Sequence, residues 1–388
     1  MSDYILHNIR ICLEDGQVKW GEILIQEGKI ALISKQPIEN NIATRFDGKG
    51  FLALPGFIDI HIHGAVGADF MDGEEKTTKE IAAYLPQEGT TSFLATTLTH
   101  SPQQIQKCVE VNSRFLSGLE EYEGAEMLGF HLEGPFIHPD QSGAQPLQHI
   151  RKPSIELVKE WFGEQLNYLK IVTLAPELDS NFEMIQFLTK KEVISSAGHT
   201  TGTFADIAEA TRHGLTHLTH FTNAMTGLHH REIGVVGAGF LNNQLFCEVI
   251  ADGIHLSDDM LKLIVQVIGP DRLILITDSM RAKGLPSGNY MLADQKVQVV
   301  GSKATLENGT LAGSVLKMND ALKKIQSLTE IPVLDLAKMT SMNAAERLGV
   351  YDRKGSLTVG KDADIVLLSK EFDVRYTFCK GRLSYSHD

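Results

Sequence analysis

The sequence predicts an α/β protein in which a (β/α)8 barrel of the TIM type is combined with a small β domain built from both chain termini. Three observations support this prediction. The chain has 388 residues, enough for a large barrel with an appendage. Short apolar segments alternate with helical segments over about 290 residues of its middle, which indicates a parallel sheet of barrel size. The segments before and after this middle contain short strands separated by turns.

The two ends of the chain share the pattern of an antiparallel sheet. Near the start, apolar residues 23–25 and 30–33 flank a turn around Gly28. Near the end, apolar residues 365–368 and 376–379 flank polar turns. The predicted domain bounds are 1–54 with 355–388 for the small β domain, and 55–354 for the barrel.

The middle of the chain supplies the strands and helices of the predicted barrel. Predicted barrel strands are residues 92–96, 127–131, 171–174, 193–196, 246–250 and 273–276. Residues 155–166 and 258–268 are predicted helices, and Ser257 has the position of an N-cap. A doubly wound open sheet is the alternative arrangement, but no Gly-x-Gly-x-x-Gly motif follows the first strand.

Composition and charge argue against several classes of protein. Hydrophobic residues make up 43% of the chain, which is typical of a folded globular protein. No apolar run approaches the roughly 18 residues of a membrane-spanning helix. With 36 basic and 49 acidic side chains, the formal net charge is −13, so neither nucleic acid nor a membrane is an expected partner. An anionic substrate would need a local cationic pocket.

The chain start and the cysteines predict a cytoplasmic protein. The first residues lack the basic and apolar segments of a secretory signal. The cysteines lie far apart and form no Cys-x-x-Cys pair, as expected in a reducing compartment. They are Cys12, Cys108, Cys247 and Cys379.

Two histidines follow the apolar run that begins the predicted barrel. His61 and His63 are separated by a single residue. Side chains two positions apart in a strand face the same way, so both imidazoles can reach one ion. A polar strand face explains the same pattern without a metal.

Further residues of metal-ligand type end later predicted strands. They are Glu133, His199, His220 and Asp278. Each has an ordinary explanation alone, such as a helix cap or an exposed carboxylate, but their common position at strand ends predicts one centre. His217 and His220 cannot both be assumed to face inward, and we favour His220 because it falls at the strand end. We expect His213 and His217 to be structural or exposed.

These residue types point to metal-assisted hydrolysis. A glutamate with several histidines suits Zn²⁺ or Fe²⁺ better than Mg²⁺ or Ca²⁺, which prefer oxygen ligands. Such a cation lowers the pKa of bound water toward about 7, so hydroxide is available at neutral pH. A neighbouring carboxylate, for which Asp278 is the candidate, can take the proton from the water and return it to a leaving group.

Several segments resemble the amidohydrolase superfamily and, within it, the family of N-acetylglucosamine-6-phosphate deacetylases. They are His-Ile-His at 61–63, His-Leu-Glu-Gly-Pro at 131–135, Ser-Ala-Gly-His at 196–199, Asn-Ala-Met at 223–225, Ala-Asp-Gly-Ile-His at 251–255 and Thr-Asp at 277–278. The match runs in order along nearly the whole chain and includes residues 54–59 and 360–364. The His-x-His and Thr-Asp pairs occur throughout the superfamily, whereas the segments at 131–135, 223–225 and 251–255 together are specific.

The resemblance implies the barrel fold, a small β-sandwich domain from both termini and a homodimer. The implied metal ligands are Glu133, His199, His220, Asp278 and, for a second ion that some members bind, His61 and His63. One or two ions of Zn or Fe per subunit are expected. The implied reaction is hydrolysis of the acetamide of N-acetylglucosamine 6-phosphate, in amino-sugar catabolism. Asp278 would activate the water and then protonate the departing amine.

The resemblance also implies a set of substrate-binding residues. They are Ala144, Gln145, Asn223, Ala224, Arg231, His255, Leu311, Ala312 and Gly313. Arg231 matches the phosphate-binding arginine of the family, which a neighbouring subunit can supply, and its guanidinium can hold phosphate through two hydrogen bonds. A solvated surface arginine is the alternative. Gln145 stands where some relatives carry a histidine; its amide can donate a hydrogen bond but cannot move a proton.

Three alternatives to this function remain open at this point. N-acetylgalactosamine 6-phosphate differs in the direction of one hydroxyl, so the sequence does not separate the two epimers. Another amidohydrolase, such as a cyclic-amide hydrolase or a deaminase, is disfavoured by Arg231, because such substrates commonly carry no phosphate. A binding protein without activity is disfavoured because every expected ligand and the base are present.

Overall fold

The computed structural model describes residues 3–118 and 122–387; residues 1, 2 and 388, which the predicted β-domain bounds include, lie outside this part of the chain. The described strands are β1 (Tyr4–Cys12), β2 (Val18–Gln26), β3 (Lys29–Ser34), β4 (Thr44–Asp47), β5 (Leu52–Pro55), β6 (Phe57–Ile62), β7 (Gly64–Ala65), β8 (Ala68–Asp69), β9 (Thr90–Thr97), β10 (Glu126–Glu133), β11 (Leu169–Leu174), β12 (Ile194–Ala197), β13 (Leu215–Leu218), β14 (Phe246–Ile250), β15 (Leu273–Ile276), β16 (Gly288–Leu292), β17 (Gln295–Val300), β18 (Lys303–Thr305), β19 (Ile365–Leu368), β20 (Val374–Cys379) and β21 (Arg382–Ser386). The described α-helices are α1 (Glu75–Tyr84), α2 (Pro102–Leu116), α3 (Ile155–Phe162), α4 (Glu183–Lys190), α5 (Phe204–Arg212), α6 (Gly234–Leu241), α7 (Asp258–Ile268), α8 (Met318–Thr329), α9 (Val333–Ala337) and α10 (Asn343–Arg347).

Eight parallel strands form the barrel that the sequence predicts. Their order, β6-β9-β10-β11-β12-β13-β14-β15, follows the chain without reversal, whereas a doubly wound sheet reverses its order at a switch point. The two ends of the sheet meet where Ile62 pairs with Ser279 in parallel. There the Asp278 N–H donates to the His61 carbonyl at 2.8 Å. The sheet therefore nearly closes on itself, and the open-sheet alternative is wrong.

Burial on both faces accounts for the apolar barrel strands. Every residue of β6, β9 and β15 is buried, because side chains fill the interior and helices cover the outside. The helix α7 shows how this cover forms: Leu261, Ile264 and Ile268 are buried along one stripe. The predicted N-cap is confirmed, since the Ser257 side chain accepts a hydrogen bond from the Met260 N–H.

One predicted helix ends earlier than expected. The sequence predicts a helix over residues 155–166, but α3 ends at Phe162. Gly163 follows it with φ of 47° and ψ of −120°, a backbone conformation that glycine adopts far more readily than other residues. The chain then continues as a 3-10 segment over Gly163–Tyr168. The predicted extension of the α-helix to residue 166 is therefore wrong.

The two ends of the chain form one sheet, in the order β21-β20-β19-β5-β1-β2-β3 with β4 paired to β1. The sheet bends around its own hydrophobic core, which is separate from the core of the barrel. Inside it, the ring of Phe46 on β4 makes edge contacts with Tyr376 and Phe378 on β20, a strand to which β4 is not hydrogen-bonded. The predicted β unit from both termini is confirmed, and its bounds stay a prediction.

A three-stranded antiparallel sheet, β16-β17-β18, lies between the last barrel strand and α8. This sheet is not among the elements predicted from the sequence. Leu292 of β16 lines the cavity at the mouth of the barrel, and the Gln295 side chain donates to the Ala144 carbonyl. This sheet therefore forms part of the wall of the candidate site.

Within residues 3–118 and 122–387, no helix has both the length and the apolar character needed to cross a lipid bilayer.

Candidate active site

The predicted ligands lie at the carboxyl ends of barrel strands. Glu133 is the last residue of β10, and His199, His220 and Asp278 each come two residues after a strand, namely β12, β13 and β15. These last three have positive φ angles of 49°, 34° and 47°. Such angles are uncommon for residues other than glycine and often mark functional sites. The turn of the backbone brings the side chains back over the end of the barrel, where they meet.

Glu133, His199 and His220 form a closely spaced group of possible metal ligands. Glu133 Oε1 lies 3.3 Å from His199 Nε2 and 3.2 Å from His220 Nε2. The two nitrogens are 3.0 Å apart. Ligands bound at about 2.0–2.1 Å to a tetrahedral Zn²⁺ lie about 3.3 Å from one another. The three atoms therefore have the dimensions of one face of a tetrahedral centre.

A hydrogen bond at Nδ1 of His199 leaves the lone pair of its Nε2 directed into this group. His199 Nδ1 lies 2.6 Å from the Gln141 carbonyl oxygen, and because a carbonyl only accepts, this nitrogen carries a proton. In the neutral ring Nε2 then holds a lone pair, which faces the Glu133 oxygen and the nitrogen of His220. Such acceptors repel one another unless a cation lies between them. The chemistry of these donor atoms fits a divalent cation.

His61 and His63 form a second group that shares Glu133. His61 Nε2 lies 3.4 Å from Glu133 Oε1, and His63 Nε2 lies 3.4 Å from Glu133 Oε2. Asp278 Oδ1 joins the group, at 3.1 Å from His63 Nε2 and 3.5 Å from His61 Nε2. All of these residues are buried. The six predicted ligands thus form one continuous cluster with Glu133 at its centre.

Glu248 is a functional candidate that the sequence analysis missed. It lies within β14, and its Oε2 is 2.9 Å from His61 Nδ1 and accepts from the His220 N–H at 3.3 Å. A proton held on Nδ1 by this carboxylate leaves Nε2 of His61 able to bind a cation. The available signal was a carboxylate in the middle of the apolar strand Phe246–Ile250, because a buried charge needs a partner.

His131 lies near the cluster, but both of its ring nitrogens have other partners. Nδ1 donates to the Ile60 carbonyl at 3.0 Å, and Nε2 accepts from the Thr173 hydroxyl at 2.7 Å. No lone pair then remains for a cation. His131 instead links β10 to β6 through Ile60 and to β11 through Thr173.

The other two histidines considered from the sequence lie away from the cluster. His217 is fully buried and stacks on Phe246, and His213 is partly exposed and stacks on Phe182. Their contacts are those of structural side chains, as predicted.

Burial and opposite charge act against each other in the cluster. Burial raises the pKa of Glu133, but the charge of His61 and hydrogen bonds from the imidazoles hold that pKa well below its ordinary value. Burial also raises the pKa of Asp278, yet the charge of His61 and the hydrogen bond to His63 lower it to about 2. Burial lowers the pKa of His63, but Asp278 and Glu133 raise it to about 9. Both carboxylates are therefore ionised at neutral pH.

A cavity of about 320 Å³ opens beside the cluster, a size suited to a small molecule. The predicted ligands that line it are His63, Glu133, His199, His220 and Asp278. The predicted substrate-binding residues that line it are Ala144, Gln145, Asn223, Ala224, His255, Leu311 and Gly313. His61 and Ala312 are fully buried and lie behind this wall. The structure thus places the two predicted sets around one space, with the exception of Arg231.

His255 brings a polar group to the cavity wall. Its Nδ1 lies 2.7 Å from Asp252 Oδ2, and Asp252 also accepts the backbone N–H of His255 at 2.8 Å. Burial lowers the pKa of His255, but the hydrogen bond to Asp252 and its charge raise that pKa above its ordinary value. An imidazole that tends to be cationic suits an anionic or hydroxyl group of a substrate.

Arg231 is exposed and lies away from the cavity of its own chain. Its Nη1 donates to His230 Nε2 at 2.6 Å, and its backbone N–H donates to His229 Nδ1. Among the described residues that line the cavity, none is a lysine or an arginine. One chain alone does not bring the predicted phosphate-binding arginine to the cavity.

Comparison with known proteins gives a family and several relatives. The model of the Amidohydrolase family matches residues 52–384. The chain is 45% identical to the N-acetylglucosamine-6-phosphate deacetylase of Bacillus subtilis (strain 168), over 98% of this chain and 97% of that protein. It is 33% identical to the N-acetylgalactosamine-6-phosphate deacetylase of Escherichia coli O157:H7, over 98% of this chain and 99% of that protein.

A solved structure is similar along the whole chain. The crystal structure of N-acetylglucosamine-6-phosphate deacetylase from Thermotoga maritima superposes with a TM-score of 0.88 at 35% sequence identity. The match covers 99% of this chain and 100% of that one. The similarity therefore includes the barrel and the terminal sheet alike.

Proposed function

Because this chain belongs to the amidohydrolase family, whose members are metal-dependent hydrolases, we propose that it hydrolyses the acetamide of N-acetylglucosamine 6-phosphate. The products are glucosamine 6-phosphate and acetate. The relatives from Bacillus subtilis and Thermotoga maritima, which match it over nearly their full length, bear the name of this activity. The observation that carries the proposal is the group of Glu133, His199 and His220, whose ligand atoms lie 3.0 to 3.3 Å apart beside the cavity.

The donor atoms of the cluster favour Zn²⁺ or Fe²⁺ as the resident ion. Two imidazole nitrogens and a carboxylate oxygen suit these borderline cations, whereas Mg²⁺ prefers oxygen ligands. We assign the main ion to Glu133, His199 and His220. His61 and His63, with Asp278 close by, offer nitrogens for a second ion that shares Glu133.

A divalent cation held by these residues would supply Lewis-acid chemistry, namely a polarised amide carbonyl and a lowered pKa of water. Asp278 moves the proton. Its carboxylate takes a proton from the attacking water as the new C–O bond forms. It then delivers this proton to the amine nitrogen as the C–N bond breaks.

The backbone holds Asp278 in place for both steps. Its N–H donates to the His61 carbonyl at 2.8 Å, and its own carbonyl accepts from the Ser314 N–H at 2.8 Å. Gly313 packs tightly on this carbonyl, since a Cβ there would lie 3.1 Å from the oxygen. The strained φ of Asp278 is thus supported on both sides.

We propose that the phosphate of the substrate is bound across a homodimer interface. The cavity of one chain holds imidazoles but, among its described lining residues, no guanidinium or ammonium group. Arg231 lies on an exposed segment with His229 and His230, and in the proposed dimer this segment would extend to the cavity of the second subunit. His255, Asn223 and the segment 311–313 would then contact the sugar.

Mixed dimers test this assignment directly. Arg231→Ala chains keep Asp278, and Asp278→Asn chains keep Arg231. If the arginine acts across the interface, mixing two variants of low activity restores activity, because a hybrid dimer contains one complete site. If the arginine acts within its own chain, the mixture has no more activity than the two variants have separately.

The substrate assignment is tested by acetate release from four compounds: the gluco and galacto N-acetylhexosamine 6-phosphates and their unphosphorylated sugars. We expect the gluco phosphate to have the highest kcat/KM. The galacto epimer is the second candidate, because a relative of 33% identity acts on it by name, but the gluco relative is 45% identical. Equal activity on the unphosphorylated sugar would refute the phosphate assignment, and no acetate release from any of the four would refute the proposed function.

We also propose a cytoplasmic location. All four cysteines are free and buried, as suits a protein of a reducing compartment.

A further inference from the structure

Gln145 connects two strand ends beside the metal cluster. It lies in the loop after β10 and is 5% exposed, although it lines the cavity. Its Oε1 accepts from the backbone N–H of Thr99 at 2.7 Å. Its Nε2 donates to Glu133 Oε2 at 2.7 Å. One buried amide therefore ties the chain just after β9 to the carboxylate at the end of β10.

The two partners fix the orientation of this amide. The Thr99 N–H can only donate, and the ionised Glu133 carboxylate can only accept. Turning the amide by half a revolution would place two donors together at one end and two acceptors at the other. The assignment of oxygen and nitrogen in Gln145 is therefore determined by the hydrogen bonds alone.

This contact acts on a group that would otherwise turn freely. The last side-chain torsion of a glutamate is broad and has no strong preference, so the neighbours of the carboxylate decide where each oxygen points. Glu133 Oε1 faces His199 and His220 at 3.3 and 3.2 Å, and Oε2 faces His63 at 3.4 Å. Gln145 donates to Oε2 and thereby leaves Oε1 directed at the main imidazole pair.

We propose that Gln145 is a positioning residue for metal binding, and that it acts by holding the carboxylate of Glu133 in the plane that both imidazole groups require. The inference rests on the proposed function and names a role for a residue that the sequence analysis assigned to the substrate. Both polar atoms of Gln145 already have partners at 2.7 Å. Replacing a residue that hydrogen-bonds to a metal ligand typically lowers metal affinity about 10–100-fold.

The test uses two variants of Gln145 and one matched control. Gln145→Leu removes both hydrogen bonds at similar volume. Gln145→Glu keeps the shape and the acceptor for Thr99 but places a second carboxylate against Glu133. Gln148→Leu makes the same change at an exposed position of the same loop. For each protein, Zn²⁺ affinity is measured by competition with a chelator, together with kcat, KM and the Tm of the metal-free form.

We expect Zn²⁺ affinity to be about 10–100-fold weaker in both Gln145 variants than in the control. At a fixed Zn²⁺ concentration the kcat of these variants should fall. At saturating Zn²⁺ their KM should change little. If Gln145→Leu does not fold, Gln145→Glu alone decides the outcome. Unchanged Zn²⁺ affinity with a raised KM would overturn the proposal in favour of substrate contact. Unchanged affinity with a lower Tm would overturn it in favour of a loop tether. Failure of the unmodified protein to bind Zn²⁺ or Fe²⁺ would instead refute the proposed function.

Discussion

Strand β10 carries a glutamate at each end, and the two carboxylates have opposite surroundings. At its start, Glu126 contacts Lys354 at 2.7 Å, Arg353 at 2.9 Å and Lys380 at 3.0 Å. At its end, Glu133 faces imidazole nitrogens at 3.2 to 3.4 Å. Lysine and arginine side chains cannot bind a metal cation while they carry their own charge, whereas an imidazole can release its proton and bind one in its place. The partly buried carboxylate at the start of the strand thus serves stability, and the buried carboxylate at its end serves chemistry.

The contacts of Glu126 join the barrel to the terminal sheet. Lys354, whose side chain is 1% exposed, also pairs with Asp364, and Arg353 pairs with Asp362 at 2.8 Å. Burial raises the pKa of Glu126, but Lys354 and its cationic neighbours lower it to about 2. This end of the barrel is a network of matched charges, so we expect its loss to affect unfolding and not turnover.

The largest expected effect is at the catalytic end. Asp278→Asn keeps the shape of the side chain but removes the carboxylate that moves the proton, so kcat should fall about 10²–10⁴-fold. The free energy of unfolding should change little in comparison. Steady-state kinetics and equilibrium substrate binding measure the two parts separately. Activity within a few-fold of the original enzyme would remove Asp278 from the mechanism.

The next effect concerns the orientation of the imidazoles. Glu248→Leu removes the acceptor for His61 Nδ1 and for the His220 N–H, so Zn²⁺ affinity should fall about 10–100-fold. Glu248→Gln is the matched control, because its amide oxygen can still accept from His61. Chelator competition gives the affinities. Equal Zn²⁺ binding by the leucine variant and the original protein would show that Glu248 does not orient a ligand.

A third change tests the structural end of the strand. Glu126→Gln removes the charge that faces three cations, and the free energy of unfolding should fall by about 2 kcal/mol. Urea unfolding of the metal-free protein measures this, with Glu123→Gln as a control at an exposed position three residues before the strand. The kcat at saturating Zn²⁺ should stay within a few-fold. A large loss of kcat without a loss of stability would contradict the division between the two ends.

The smallest effect is the pH dependence of that stability. The pKa of Glu126 is lowered from 4.5 to about 2 on folding, so its contribution is fully present above the unfolded pKa and is lost as pH falls toward the folded pKa. Between about pH 5 and pH 3.5, the stability difference between the original protein and Glu126→Gln should shrink by about 1 kcal/mol. Urea unfolding at several pH values measures the difference. A difference that stays constant or grows in this range would contradict the assignment.

The sequence predicted the site to the extent that the strand ends define it. Parallel strands bring their carboxyl ends together, so Glu133, His199, His220 and Asp278 were predicted as neighbours from their positions after apolar runs. The spacing of His61 and His63 likewise follows from the alternation of a strand. These predictions depend only on the fold class and on local sequence.

Contacts that depend on distant segments were not predicted. A barrel strand is buried on both faces, so its sequence does not reveal whether Glu248 points into the barrel or outward. The hydrogen bond of Gln145 to Thr99 depends on how a loop folds back over a stretch of 46 residues. The role proposed for Arg231 depends on a second chain, about which the sequence of one chain contains no geometric information.

The central claim is that Glu133, His199 and His220 together bind one transition-metal ion. A crystal structure of the protein purified with Zn²⁺, with data collected on both sides of the zinc absorption edge, tests it most directly. The account predicts an anomalous difference peak within about 2.0–2.2 Å of Glu133 Oε1, His199 Nε2 and His220 Nε2. A fully loaded crystal with zinc bound elsewhere and no peak among these three atoms would contradict it.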